Sequence, residues 1–192
     1  MSDNKNSKIE VSVVRNQEDW AKVIAIRAIV YIHEQQCPYD EEFDGNDFCG
    51  TQFIGTVDGE PAGTLRVRYF ADCAKFERLG VRKEFRKGQV GLSIMRYAYD
   101  LCSKKGFKVI IGQTQSQVIP FMQRHFNAEV VGAEHHFSDH SCFPVEIPIK
   151  PANDTMGRHT DFMKLTRPEG EWDEPGILER STVREPTNPG AD

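Results

Sequence analysis

No stretch of the chain approaches the ~20 apolar residues that a bilayer-spanning helix needs, which sets aside an integral helical membrane protein. A disulfide frame is missing too. Cys37, Cys49, Cys73, Cys102 and Cys142 are odd in number and widely scattered. The polar start, Met1 to Lys8, has no apolar segment or small-residue cleavage site of a secretory signal. Reduced thiols in a cytoplasmic protein are the expectation. Basic charge is also short: 24 Lys and Arg stand against 29 Asp and Glu. A nucleic-acid partner, which calls for a surplus of cations on one face, is therefore not expected. Internal repeats and low-complexity runs are absent, so a repeat architecture is excluded as well.

What remains is ordinary soluble composition, 39% hydrophobic and 28% charged, over 192 residues. That length accommodates one well-buried domain and a tail. Residues 8–14 alternate around β-branched side chains and predict a first strand. Asn16 is placed to cap a helix, with Asp19 three positions on. Trp20, Val23, Ile24, Ile26, Ala28 and Tyr31 give that helix its apolar spacing to about Glu34, and Cys37-Pro38 stops it. Residues 38–50 are acidic and loop-like. A hairpin follows, Thr51–Val57 and Ala62–Phe70 around Asp58-Gly59-Glu60-Pro61. Residues 74–81 predict a further strand.

Val90–Lys105 carries the clearest helical stripe, Gly91, Ile94, Met95, Ala98, Leu101 and Cys102, closed by Gly106. Then come a strand at Phe107–Gln113, a helix at Val118–His125 with Pro120 in its first turn, and strands at Glu129–Phe137 and Phe143–Ile149. The order β-α-β-β-β-α-β-α-β-β predicts an α/β (α+β) domain over 8–150, with antiparallel and parallel pairs in one sheet. Residues 1–7 are expected to be flexible. The segment 151–192 is expected to be a largely disordered extension, because 168–192 holds four of the ten prolines and few apolar side chains.

Chemistry concentrates first at Leu79-Gly80-Val81 and the run Arg86-Lys87-Gly88-Gln89-Val90-Gly91. A strand enters a loop with two glycines and two added cations, and the loop becomes a helix. Unpaired N–H groups and the helix dipole favour an anion there, so a phosphate or pyrophosphate is the natural ligand. A tight turn with solvated cations is the plainer alternative.

This segment resembles the acetyl-CoA motif of the GNAT superfamily, in which Leu-x-Val leads through Arg/Gln-x-x-Gly-x-Gly/Ala into a helix. Leu79, Val81, Phe85, Arg86, Val90 and Gly91 match without a gap, and the order of elements fits over roughly 8–150. The first motif glycine is Gln89 here, with Gly88 one position early, and a Cβ at that point obstructs close approach of a ligand. The resemblance implies a GNAT-like mixed central sheet flanked by helices. It implies acetyl-CoA or another acyl-CoA as donor, its pantetheine arm lying along 77–81 like an added strand. It also implies a backbone N–H near Leu79 or Gly80 that polarises the thioester carbonyl.

A second constellation comprises Arg27, Glu34-Gln35, Pro38-Tyr39, Glu42, Asp44, Asp47, Arg66 and Glu77-Arg78. Glu34-Gln35-Gln36-Cys37-Pro38-Tyr39 followed by Glu42-x-Asp44-x-x-Asp47 resembles ElaA-like acetyltransferases. Acyl-homoserine-lactone synthases are similar in the Glu-x-Asp-x-x-Asp spacing and in an Arg at the place of Arg66. Arg27, Glu42, Asp44, Asp47, Arg66 and Arg78 are thus the expected acceptor contacts, for a small amine or amino-acid-like molecule. The acidic loop either receives a cationic amine or merely caps its own turns.

Acyl transfer to an amine needs a base, and a carboxylate serves if its pKa is raised. Glu77, beside the expected thioester, is the first choice; a salt bridge with a neighbouring Arg is the alternative. The Tyr that many GNAT enzymes use as general acid corresponds to Met122, after Phe121, so the acid is unassigned. His135, His136, Asp139, His140 and Cys142 lack any tight metal spacing, and no metal is expected. Adjacent His135 and His136 point to opposite faces of a strand.

The expected function is N-acyl transfer from CoA to an amine. Two alternatives stay open: a synthase that takes its acyl group from acyl carrier protein, and a non-catalytic acyl-CoA sensor or scaffold. A homodimer through strand 143–149 is consistent with the family.

Overall fold

A computed structural model of the chain describes residues 7–137 and 140–181. Strand β1 (Ile9–Val13) leads to Asn16, whose side chain accepts a hydrogen bond from the Asp19 N–H and starts α1 (Gln17–Arg27). One of the orphan donors of the first turn is satisfied in this way, as the Asn-x-x-Asp spacing predicts. The helix continues as a π-helical segment, Ala28–Glu34. A short α2 (Tyr39–Glu42) and a turn at Asp47–Cys49 fill the acidic loop.

Strands β2 (Gly50–Val57) and β3 (Glu60–Tyr69) form the expected hairpin. Asp58 and Gly59 both have positive φ, 50° and 86°. The connection is therefore a two-residue turn of the primed kind that suits strand twist, shorter than the four residues the sequence suggests. β4 (Ala74–Val81) precedes α3 (Val90–Lys104), β5 (Val109–Gln115), α4 (Ile119–Phe126), β6 (Glu129–Val130), β7 (His135–Phe137) and β8 (His140–Pro148). The predicted strand 129–137 is thus two short pieces. The eight strands make one sheet in the order β1-β2-β3-β4-β5-β8-β6, with β7 also on β8. All pairs are antiparallel except β4 with β5.

The helices cover opposite faces. On one, Val23, Ile26 and Val30 of the first helix pack with Ile54 of β2. On the other, Val90, Ile94, Met95, Ala98, Leu101 and Cys102 of α3 enter the main core with Phe53, Leu65, Val67, Phe76 and Ile110. Each such side chain contributes roughly 1.5–3 kcal/mol on full burial. Gly55 and Gly63 let α3 lie close to the sheet: a Cβ would come within 2.7 Å of Ile94 at the first and 2.8 Å at the second.

Two irregularities matter for the site. Between β3 and β4 the register moves from Thr64↔Gly80 to Arg66↔Glu77. Two residues, Arg78 and Leu79, therefore oppose Leu65 in a bulge, and Arg78 takes φ 55°. Between β4 and β5 only Ala74–Phe76 pair with Ile110–Gly112. β4 then runs on to Val81 and β5 to Gln115, so the strands part and leave a split in the sheet. Phe76 and Ile110 turn into the main core; by alternation Glu77 and Gln113, the first residues past the split, turn to the opposite face.

Part of the extension packs on the domain. Trp172 is only 7% exposed and belongs to the main core. Around it Lys105 meets Glu169 at 2.9 Å, Arg15 meets Glu171 at 2.6 Å and Lys104 meets Asp173 at 2.7 Å. Proline content and low apolar content hid one large aromatic anchor and its rim of ion pairs. The remainder of that predicted tail, 182–192, lies outside the described residues, as does nearly all of 1–7. Among the described residues no helix is long and apolar enough to cross a membrane.

Candidate active site

The expected acceptor residues meet in one buried network. Arg27, at the end of α1, donates to Glu42 Oε1 and Asp47 Oδ1, both at 2.5 Å. Arg66 of β3 reaches Asp44 at 2.6 Å, Asp47 at 2.9 Å and Glu77 at 2.9 Å. Arg78 joins Glu42 at 2.8 Å and Asp44 at 3.3 Å, and also donates to the Glu41 carbonyl. The bulge at Arg78 is what turns its side chain toward that loop. Both Arg27 and Arg66 have 0% exposed side chains. Two fully buried guanidinium groups are tolerable only because each faces several carboxylates in good geometry.

Sequence reasoning missed two members, Arg68 and Lys75, which bind Glu77 at 2.9 and 2.8 Å. Their signal was available: Arg66-x-Arg68 and Lys75-x-Glu77 alternate on one face of adjacent strands, and register pairs Arg68 with Lys75.

This geometry bears on two expectations. Burial alone would raise the Glu77 pKa, yet hydrogen bonds from Arg68 and Lys75 and the charge of Arg66 hold it at about 2. A carboxylate that weakly basic is a poor proton acceptor at neutral pH, and in this geometry Glu77 is the hub of an ion-pair cluster. Within the acidic loop, Glu42, Asp44 and Asp47 are each answered by arginines. Burial acts to raise the Asp44 pKa, but Arg66 and the Asn46 N–H hold it well below the usual carboxylate range. Glu42 goes the other way: burial outweighs Arg27 and pushes its pKa up. It is nevertheless closed off by two arginines. In this cluster five cations (Arg27, Arg66, Arg68, Lys75, Arg78) face four carboxylates (Glu42, Asp44, Asp47, Glu77), which leaves one positive charge over.

The donor-side residues lie at the split. Leu79 sits in the bulge, half-buried against the main core. Gly80, opposite Thr64, is covered by the π-helical segment, where a Cβ would stand 3.3 Å from Tyr31 and 3.4 Å from Val30. Val81 packs toward Gly91, and its carbonyl accepts from Arg86 Nε at 2.8 Å. That bond folds the loop back beneath α3. Lys87 is exposed, and the Gly88 N–H donates to the Phe85 carbonyl at 3.1 Å.

Gln89 is the N-cap of α3 but its side chain makes no capping bond, and the first turn holds no acidic residue. The helix therefore presents N–H groups with no side-chain partner beside two cations, which suits an anion. Gln89 has φ −93°, a conformation open to any residue. The missing glycine thus costs no backbone strain and matters only for how near a ligand can come. Val90, next along, is buried and anchors the turn.

Donor and acceptor sides touch at one ion pair that sequence reasoning did not foresee, Arg86 with Glu34 at the end of the π-helical segment. Met122 is buried in the core, so the position of the family's usual acid holds no proton donor. Among the described residues no group of His, Cys, Asp and Glu is arranged to hold a metal ion.

A sequence profile described as the acetyltransferase (GNAT) family matches residues 20–127. The uncharacterized N-acetyltransferase YjcF of Bacillus subtilis (strain 168) is 31% identical over 114 residues, 59% of this chain and 81% of its own. The crystal structure of Escherichia coli ElaA superposes with TM-score 0.66 at 19% identity, over 73% of this chain and 99% of that one. A CoA-dependent acyl-homoserine lactone synthase, BjaI, solved with SAM and isopentyl-CoA, gives TM-score 0.60 at 14% identity, over 75% and 84%. Both branches that the motifs resemble are therefore among the fold's neighbours. With a profile match across more than half its length, a split between β4 and β5, and an uncapped helix directly after it, this chain belongs to the GNAT acetyltransferase family.

Proposed function

We propose that this protein is an acyl-CoA-dependent N-acyltransferase acting on a small amino-acid-like amine. The observation that carries the donor side is the continuity of the parted strand Glu77–Val81 with the open start of α3. A pantetheine arm laid into the split finds unpaired backbone on β4 and β5, as an added strand would. Its pyrophosphate then falls beside Arg86, Lys87 and the N–H groups of Gln89–Gly91. An N–H of Leu79 or Gly80 would polarise the thioester carbonyl, and the bulge takes Leu79 out of regular pairing with β3.

For the acceptor, the single cation in excess in the network favours a molecule that carries a carboxylate as well as its amine. Arg68, Lys75 and Arg78 are the partly exposed members that would meet it. Arg27, Arg66, Glu42, Asp44 and Asp47 then support those contacts from beneath.

The test is a melting experiment with acetyl-CoA, longer acyl-CoAs and acyl carrier protein. A donor at a hundredfold excess over its dissociation constant stabilises the folded state by about 2.7 kcal/mol. No shift with any CoA sinks the reading. A shift with acyl carrier protein alone supports the second reading, a carrier-dependent synthase, which Gln89 favours because a carrier arm brings one phosphate and not two. Thiol release with a panel of primary amines and amino acids then separates an enzyme from an acyl-CoA sensor, the case that Met122 keeps open.

A further inference from the structure

With Glu77 held at about 2 and Glu42, Asp44 and Asp47 closed by arginines, the reaction lacks a base within the acidic cluster. A different titratable group lies beyond the opposite wall of the split. β5 pairs with β8 along its whole length, Val109↔Pro148 to Gln115↔Cys142, and β7 pairs with the same end of β8, His135↔Cys142. That places His135 two strands over from Gln115, across β8 from the stretch of β5 that has left β4. Its ring bridges back toward the split: Nε2 lies 3.2 Å from Gln113 Nε2. Gln113 and Glu77 are the first residues past the split on the two strands and turn to the same face.

The tautomer is set by the second ring nitrogen. His135 Nδ1 is 3.0 Å from the Ala133 carbonyl. A carbonyl oxygen only accepts, so Nδ1 carries the proton and donates. Nε2 of the neutral ring is then the lone-pair nitrogen, and it accepts from the Gln113 amide. An amide is a fitting partner, because rotation by half a turn offers its oxygen to a protonated Nε2. The side chain can thus be satisfied before and after it takes up a proton.

We propose that His135 is the general base toward the acceptor amine, with Gln113 as the positioning residue that holds its Nε2 at the split. The inference rests on the acyl-CoA reading. In the step, the neutral amine nitrogen attacks the thioester carbonyl and the C–N bond forms. The C–S bond breaks with its electron pair on sulfur, which leaves as thiolate; the Gln113 N–H gives up the Nε2 lone pair to the amine, and the proton shed by nitrogen passes to His135 Nε2. Amide, thiolate and imidazolium balance the starting thioester, amine and imidazole.

The experiment is thiol release from acetyl-CoA with the amine and amino-acid panel, for wild type, His135→Ala and His135→Gln, beside the acetyl-CoA melting shift of each. Both variants are expected to lose about 10²–10⁴-fold in turnover while the melting shift stays that of the wild type. Added imidazole is expected to restore turnover to His135→Ala, which a merely structural role for the ring would not permit. Wild-type turnover in either variant overturns the assignment. So does a loss that imidazole leaves unchanged. If the wild type itself shows no melting shift with any acyl-CoA, the donor reading fails first and the assignment falls with it; a normal shift with unimpaired variants overturns the base alone.

Discussion

On the acceptor side, Arg27 and Arg66 are fully buried and each meets two or three carboxylates; on the donor side, Arg86 and Lys87 are exposed beside a helix start that nothing caps. The two regions hold similar residues and use them differently. In the network, charge is answered from within the chain, so its buried members organise the loop over β3 and β4 and only the partly exposed Arg68, Lys75 and Arg78 are near a ligand. At the phosphate loop, the helix start has no side-chain cap and Arg86 has one carboxylate partner, Glu34, which a phosphate can replace. Charge alone therefore does not mark a ligand site; charge with few internal partners does.

The largest effect should come from breaking the network. Arg66→Met leaves Asp44, Asp47 and Glu77 short of their common partner. Removing one member of a buried ion cluster typically costs about 3–5 kcal/mol, because the partners stay buried and uncompensated. Denaturant unfolding of the variant measures this. A loss under about 1 kcal/mol would mean that the cluster relaxes toward water, and the contrast between the two regions would collapse.

Acid should act on the same cluster. Glu77 has a folded pKa of about 2, below its ordinary 4.5. Its contribution is complete above that ordinary value and is lost as pH falls toward about 2; the span corresponds to about 3 kcal/mol. Glu42, whose pKa burial raises, has the opposite sign and offsets part of the loss. Melting temperature followed from pH 5 to pH 2 should fall steeply in the wild type. In Glu77→Gln the curve should start lower and run flatter, and an unchanged slope would show that other carboxylates govern the acid limb.

The same contrast explains what the sequence disclosed. Elements with a single strong signal were legible: the Asn16 cap, the Asp58-Gly59 turn and the α3 stripe each depend on residues close in the chain. The acidic-loop members of the network were legible too, through their spacing, while Arg68 and Lys75 were not. The network's meaning was not, because whether Glu77 is a base or a hub depends on Arg68 and Lys75 arriving from two strands in register. The His135–Gln113 contact likewise joins β7 to β5 across β8, a proximity no local pattern encodes. Trp172 was hidden for a simpler reason: one aromatic in a proline-bearing, acidic segment does not alter its average composition.

On the donor side the expected effects appear in binding and not in folding. Arg86→Ala removes an exposed cation and its bond to the Val81 carbonyl. Stability should move by no more than about 0.5 kcal/mol. Acyl-CoA affinity should fall about tenfold or more, the value of a lost hydrogen bond to a charged group. Calorimetric titration of wild type and variant checks both halves. A stable variant with unaltered affinity would place the phosphates elsewhere.

The smallest effect tests an ion pair that joins the regions. Glu34 holds the Arg86 guanidinium in the unliganded protein, so a phosphate arriving at the loop competes with it for the same donors. Glu34→Gln removes the competing charge and leaves Arg86 tied to Val81. An exposed pair of this kind is worth about 0.2–1 kcal/mol, so acyl-CoA should bind up to about fivefold more tightly to the variant. The advantage should shrink from low salt to 1 M, where the screening length falls to about 3 Å. Weaker binding in the variant would reverse the sign: Glu34 would then be holding Arg86 in its binding position, and the acceptor-side helix would help to build the donor loop.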